Sequence, residues 1–176
     1  MIQHKIEFTE DRNVDQSLNA KLQAVLSECF PNQNIFKIQR YYKEIPAYRW
    51  FILDDNKIIA HTALHIKEIF VNDLPIKIGG IAEVCVLPEF RKMGLAKLLL
   101  SAAEDWLKLN GFKYVMLFGE EKFYSSSGYL SISNEIKLKD FNSGEIKIKK
   151  NIDAMIKLLS DENFPNGLID LNGYDF

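Results

Sequence analysis

The sequence predicts an α/β (α+β) fold: a mixed, mostly antiparallel twisted sheet flanked by helices. Three observations carry this expectation. Short apolar or alternating runs, bounded by turn residues, recur through the first half of the chain. A strongly amphipathic helical pattern then sits between two apolar strands, the signature of a strand–helix–strand unit inside a larger sheet. Finally, the 176-residue chain is 47% apolar and 26% charged, enough to bury a core as one domain, 1–176, without disulfide or metal staples.

Taken in order, Ile2–Phe8 alternates and reads as a strand. Val14–Phe30 places Leu18, Leu22, Val25, Leu26 and Cys29 at helical spacing, and Pro31 closes it. Ile35–Tyr42 reads as a short second helix. Arg49–Leu53 and Lys57–Phe70 read as strands joined by a hairpin turn at Asp54-Asp55-Asn56, and Asn72-Asp73 turns the chain into a third strand, Pro75–Leu87. Gly94–Leu109 is the best helix of the chain, with Leu95, Leu98, Leu99, Ala102, Trp106 and Leu109 expected on one face and Asn110-Gly111 as its stop. Lys113–Phe118 reads as a strand buried on both sides, and Glu120–Ser127 as a short helix stopped by Gly128. The rest, about 131–176, holds alternating segments (Ile136–Lys139, Glu145–Ile148) and Ala154–Leu159, expected as strands that complete the sheet.

Charge and composition narrow the function classes. The net charge is −2 and the isoelectric point is near 6.0, which argues against a general nucleic-acid binder. Cys29 and Cys85 lack metal-ligand spacing and read as reduced thiols of a cytoplasmic protein. Met1–Glu10 carries Glu7 and Glu10 with no long apolar core, so no signal peptide is read there. No apolar run approaches the ~20 residues of a membrane helix. The expectation is a protein without nucleic-acid or membrane partners.

The segment Val86-Leu87-Pro88-Glu89-Phe90-Arg91-Lys92-Met93-Gly94-Leu95-Ala96 carries the chemistry. An apolar strand ends at a proline, a basic loop with a glycine follows, and a helix begins. Helix N-termini present unpaired N–H groups and the positive end of the dipole, and bind phosphate readily. Gly94 lets a phosphate approach the main chain without a Cβ in the way. The Walker and dinucleotide-binding fingerprints are both absent.

Arg91-Lys92-Met93-Gly94-Leu95-Ala96 resembles motif A, Arg/Gln-x-x-Gly-x-Gly/Ala, of the GNAT superfamily of acyl-CoA-dependent N-acyltransferases. Phe123-Tyr124-Ser125-Ser126-Ser127-Gly128-Tyr129 resembles that family's Phe-Tyr-x-x-x-Gly-Phe segment, one strand downstream. Two departures stand out: Ala96 where glycine is frequent, and Gly119-Glu120-Glu121 where many members have an asparagine. The resemblance implies the GNAT fold, with acetyl-CoA as co-substrate, no metal, and often a homodimer. It implies that Arg91, Lys92, Met93, Gly94, Leu95, Ala96 and Lys97 hold the pyrophosphate, while Val84, Cys85 and Val86 run beside the pantetheine arm.

The implied reaction moves an acetyl group to a primary amine, on a small molecule or a peptide, by direct attack in a ternary complex. An alkylamine has a pKa of ~10.4 and a thiol one of ~8.5, so a base and an acid both help. By the resemblance Tyr124, which would also touch the cofactor, is the expected acid. Glu83, the only carboxylate in the cofactor strand, is the expected base. Strand parity sets Glu83 opposite Val84 and Val86, and a β-bulge of the kind common in the family would reverse that face. The Val86 N–H is the expected oxyanion donor.

Other features have blander readings. His61 and His65 lie in a strand pattern, where four residues span ~13 Å, too far to share a metal; either could line an acceptor pocket, and a solvated face is the plainer expectation for them. Cys85 is expected to pack. The aromatic segment Tyr41–Trp50 is expected to supply core residues and, by the resemblance, to border the acceptor. Asn166–Phe176 resembles the tails of some bacterial relatives, including aminoglycoside 2'-N-acetyltransferases and nodulation-factor acyltransferases. By that analogy Asp175 and the Phe176 carboxylate would meet a cationic acceptor; the plainer expectation is a sheet-edge tail with solvated acids. The alternatives are an aminoglycoside-type antibiotic acetyltransferase and a catalytically silent acyl-CoA-binding module.

Overall fold

The computed structural model describes residues 5–150 and 152–176. Its elements are β1 (Ile6–Glu10), α1 (Gln16–Cys29), β2 (Tyr48–Asp54), β3 (Lys57–Val71), β4 (Leu74–Val86), α2 (Leu95–Leu109), β5 (Tyr114–Phe118), α3 (Glu121–Tyr124), β6 (Leu130–Ser131), β7 (Ile136–Lys139), β8 (Ile146–Lys149), β9 (Ala154–Leu158) and β10 (Ile169–Asp170). The strands hydrogen-bond in the order β6-β9-β5-β4-β3-β10-β7-β8, with β2 on β3 and β1 on β2. This is the mixed, helix-flanked sheet expected. The part of the first strand expected before Lys5 lies outside the described residues.

The chain divides into two compact units, one running to His65 and taking up Ala82–Ala103, the other made of Ile66–Ile81 and Glu104–Phe176. The long elements β3, β4 and α2 each belong to both.

In the first unit, Asp15 caps α1 by accepting the Leu18 N–H at 2.8 Å, and Leu22, Val25 and Leu26 are buried. β1 pairs antiparallel with β2, and β2 with β3. Asp55 and Asn56 join β2 to β3 with positive φ at both positions (+40° and +69°), the backbone of a type I′ hairpin. The helix expected over Ile35–Tyr42 is only a 3₁₀ turn, Asn34–Lys37. The Tyr42 N–H, which a helix would pair with the Ile38 carbonyl, donates instead to Glu83 Oε1 at 2.9 Å, and the Arg40 carbonyl accepts from Arg49 Nη2 at 2.9 Å.

In the second unit, Asn72 and Asp73 make the other positive-φ hairpin turn. β5 runs parallel to β4 over Gly79–Ile81 and antiparallel to β9 along its whole length. β7 and β8 form a hairpin, and β10 lies between β3 and β7. Ile69, Ile78, Met116, Ile136, Ile156 and Ile169 fill its core. The residues Ala154–Leu159, legible equally as helix or strand, are a strand because each of Ala154–Leu158 finds a partner on β5.

The buried stripe of α2 is Leu95, Leu99, Ala103 and Leu107, with Leu100 and Glu104 beside it, whereas Leu98 and Leu109 are 48% and 88% exposed. The expected face is therefore rotated. Leucine and alanine occur around most of this helix, so periodicity does not single out one stripe. Among the described residues no helix is long and apolar enough to cross a membrane.

Candidate active site

The loop after β4 is built as an open cradle. Leu87 N–H donates to Ile59 O on β3 at 2.9 Å. Successive main-chain groups of a strand point to opposite edges, so the Val86 N–H and C=O face away from β3, and Val84 shares that edge. The Val86 carbonyl accepts from Arg91 Nε at 3.1 Å, which ties the basic loop back to the strand. Gly94 has φ +79°, and a Cβ placed on it would have no neighbour within 4 Å among the described residues. The helix ladder starts with Leu98 N–H on Gly94 O at 3.1 Å. The amides ahead of it, those of Leu95 and Ala96 included, point out of the N-terminus of α2 beside exposed Arg91, Lys92 and Lys97. Met93, between Lys92 and Gly94, is 54% exposed.

Cys85 is oriented differently from its neighbours. Its thiol is buried beside that of Cys29 at the end of α1. The neighbouring Cys85 thiol draws Cys29 down from its ordinary value, while the same contact and burial push Cys85 well up. Its main-chain groups share the parity of Leu87 and point toward β3. Cys85 thus packs, and Val84 and Val86 present the free edge.

Glu83 departs from the extended region with φ +53°, the local backbone signature of a bulge. Its side chain is only 5% exposed and its Oε2 accepts from Arg49 Nη1 at 3.0 Å. Arg49, fully buried, also bonds Asp11 through Nε at 2.6 Å, and Arg40 donates to the same Asp11 carboxylate. Two guanidiniums and two carboxylates thus neutralise one another in the interior, as buried charges must. Burial pushes the Glu83 carboxyl up from its ordinary value, with the Arg49 charge pulling against it. Burial also raises Asp11, but the hydrogen bond from Arg40 and the charge of Arg49 outweigh it and hold Asp11 low.

Both strand histidines are buried, not solvated as expected: His61 is 0% and His65 7% exposed. β3 is covered on both faces here, which alternation alone did not show. His61 Nδ1 meets the Glu83 carbonyl at 3.1 Å and Nε2 meets Arg49 Nη1 at 3.0 Å. A carbonyl only accepts and an arginine only donates, so the ring is neutral, with its proton on Nδ1. Burial and the Arg49 charge lower its pKa to about 3. Of the aromatic segment, Trp50 is buried while Tyr41, Tyr42 and Tyr48 are partly exposed.

In the second unit Tyr124 ends α3, half-buried, with its ring against Gly119: a Cβ on Gly119 would lie 2.4 Å from Tyr124 Cε2. Tyr124 meets Tyr129 edge-on at 6.1 Å, and Gly128 closes the turn between them with φ +86°. Tyr124 and Asp175 line one cavity of about 430 Å³ with Phe118, Phe123, Glu120 and Asp153. Phe176 packs edge-on against Phe118 at 5.2 Å, and its ring stands 2.9 Å from where a Gly80 Cβ would be. Lys67 Nζ donates to the Tyr174 carbonyl at 2.7 Å, which pins the tail.

Sequence reasoning missed Arg49, Asp11, Arg40 and Gly119. Arg49 did leave a signal, a lone cation entering the apolar run Trp50-Phe51-Ile52-Leu53. Gly119 left only a departure from a familiar asparagine.

The sequence profile of the acetyltransferase (GNAT) family matches residues 19–129. The structure of the Escherichia coli GNAT family N-acetyltransferase YhbS in complex with CoA superposes with a TM-score of 0.69 at 16% identity, over 97% of this chain and 91% of that one. A Brucella melitensis GNAT family acetyltransferase in complex with acetyl-CoA gives 0.64 at 15% identity, over 95% and 96%. Escherichia coli ElaA gives 0.62 at 13%, over 88% and 99%. At these identities the likeness is one of fold. A Bacillus subtilis (strain 168) protein, provisionally named an acetyltransferase, is 33% identical over 63 residues, which span 34% of this chain and 43% of that protein.

Proposed function

Because this chain belongs to the acetyltransferase (GNAT) family, we propose that it moves an acetyl group from acetyl-CoA to a primary amine by direct attack in a ternary complex. The carrying observation is the cradle at the end of β4: a strand edge with Val84 and Val86 turned away from β3, then a left-handed, unobstructed Gly94 at the start of α2.

In this reading the amides of Gly94, Leu95, Ala96 and Lys97, with the charges of Arg91 and Lys92, hold the pyrophosphate. Met93 borders it. The pantetheine arm runs along Val84 and Val86, and the Val86 N–H meets the carbonyl oxygen as it gains charge. The amine nitrogen attacks the thioester carbon, the C–N bond forms and the C–S bond breaks. Tyr124 gives its phenolic proton to the leaving sulfur. The proton of the new ammonium goes through water to Glu83, whose oxygens each accept one hydrogen bond and each keep a lone pair. A carboxyl raised by burial is a better base near neutral pH than an ordinary one. The cavity beside Tyr124 takes the acceptor. Its carboxylates Glu120, Asp153 and Asp175 outnumber its one cation, Lys149, and suit a cationic amine.

The test is calorimetric titration with CoA and acetyl-CoA, on wild type and Gly94→Asp, followed by thiol release with spermidine, a lysine peptide and an aminoglycoside as acceptors. Binding lost in the variant, with release on an amine, supports the reading. Failure of wild type to bind overturns it.

A further inference from the structure

A second group of buried charge lies in the second unit, outside the steps just described. Glu104 of α2 is 3% exposed, and its Oε2 accepts from Lys157 Nζ of β9 at 2.5 Å. The same Nζ stands 5.7 Å from the centre of the Tyr129 ring. The Lys157 chain also fills the space beside Gly128, its Cε 3.4 Å from where a Cβ would be. Tyr129 is 1% exposed. Among the described residues, Tyr129 Oη and Glu104 Oε1 are buried without a hydrogen-bond partner. Tyr129 in turn touches Tyr124 twice, through the ring contact at 6.1 Å and through its N–H on the Tyr124 carbonyl at 3.4 Å.

The geometry points to Glu104 and Lys157 as a positioning pair that holds Tyr129, and through Tyr129 the angle and depth of the Tyr124 phenol. A salt bridge whose carboxylate is buried is costly in itself and no better for stability than an apolar pair of equal volume. Here it has a geometric use. Lys157 is neighbour to the turn that returns the chain from α3, because β6 pairs Leu130 with Ile156. Its ammonium lies over the ring face, a directional contact that a methionine at this position would not make. Glu104 restrains the ammonium from the other side. The inference rests on Tyr124 being the acid of the proposed reaction.

The experiment is a double-mutant cycle between Glu104→Gln and Tyr124→Phe, with Lys157→Met and Lys157→Arg beside it. Thiol release from acetyl-CoA is followed with the fastest amine of the acceptor panel and with hydroxylamine, across pH. The expected result is a loss in kcat of about tenfold for Glu104→Gln, with the affinity for acetyl-CoA kept and the basic limb of the kcat profile displaced. Added to Tyr124→Phe, Glu104→Gln then costs nothing more. Lys157→Arg retains most of kcat and Lys157→Met does not. Equal losses in both backgrounds, or no loss from Glu104→Gln, overturn the positioning role while leaving the transfer reading intact. A Tyr124→Phe enzyme as fast as wild type overturns both the acid and its positioning pair. Should Lys157→Met fail to fold, the Glu104→Gln cycle decides alone.

Discussion

Arg49 Nη1 donates to Glu83 Oε2 at 3.0 Å where one side chain is 0% and the other 5% exposed. The two residues are 34 apart in sequence. The same nitrogen stands 3.0 Å from His61 Nε2. One guanidinium thus fixes the candidate base, the tautomer of a buried imidazole and, through Asp11, the first turn of the unit. Arg49→Met leaves the buried Glu83 carboxylate without its cation while Asp11 keeps Arg40, and a loss of about 3 to 5 kcal/mol is expected. Urea unfolding checks it, and Glu83→Gln added to Arg49→Met recovers part of the loss by removing one stranded charge.

His61 makes the acid sensitivity specific. Its pKa is lowered from 6.5 to about 3 by burial and by the Arg49 charge, so unfolding takes up a proton anywhere between these values. A lowered folded pKa contributes stability that is complete above 6.5 and is lost as pH falls toward about 3. The slope is about 1.4 kcal/mol per pH unit. Glu83, raised by burial, acts in the opposite sense: its contribution is present below 4.5 and fades as pH rises past its raised value. Urea midpoints between pH 7 and 4.5 for wild type and His61→Gln isolate the histidine, and the variant's curve is expected to be flatter.

Gly94→Asp places a Cβ where, among the described residues beyond its chain neighbours, no atom stands within 4 Å, and adds a negative charge. The left-handed backbone makes this cost about 1 kcal/mol of stability. The effect on acetyl-CoA is expected to be far larger, since in the proposed reading the carboxylate would occupy the phosphate's place. Calorimetry beside thermal unfolding separates the two: near-normal melting with binding weakened more than about a hundredfold, roughly 2.7 kcal/mol.

Gly119→Ala is the complementary case. Its Cβ would meet the Tyr124 ring at 2.4 Å, and the ring edge, being a side chain, swings aside. Affinity for acetyl-CoA is expected to hold, while kcat falls about tenfold or more, as displaced catalytic groups do. A KM that rises with kcat unchanged would speak against Tyr124 as the acid.

Asp175 lines the cavity that Tyr124 also lines. Asp175→Asn is expected to raise KM for cationic amines about two- to fivefold, the worth of a partly exposed charge pair, with hydroxylamine unaffected. Steady-state kinetics with spermidine against hydroxylamine test the charge directly.

Local structure was legible wherever neighbouring residues decide it. Asp55-Asn56 and Asn72-Asp73 announced hairpins because short polar side chains tolerate positive φ. Pro88 followed by a basic loop, Gly94 and a helical pattern announced the cradle, since a helix start, a dipole and a missing Cβ are properties of a few adjacent residues. Tyr124 was singled out as a candidate by its motif, whereas the Gly119 that its ring leans on was not. Tertiary structure alone decided which stripe of α2 is buried, because leucine and alanine surround that helix and only the sheet it covers selects a face. It decided that Ile35–Tyr42 gives up its helix, because the Tyr42 N–H that a helix would use is claimed by Glu83. It decided that His61 is buried and neutral, and that Lys157 reaches both Glu104 and Tyr129. Such meetings join residues far apart in sequence. They depend on the register and bulges of the sheet and on the requirement that every buried charge find its counterpart, which no local pattern expresses.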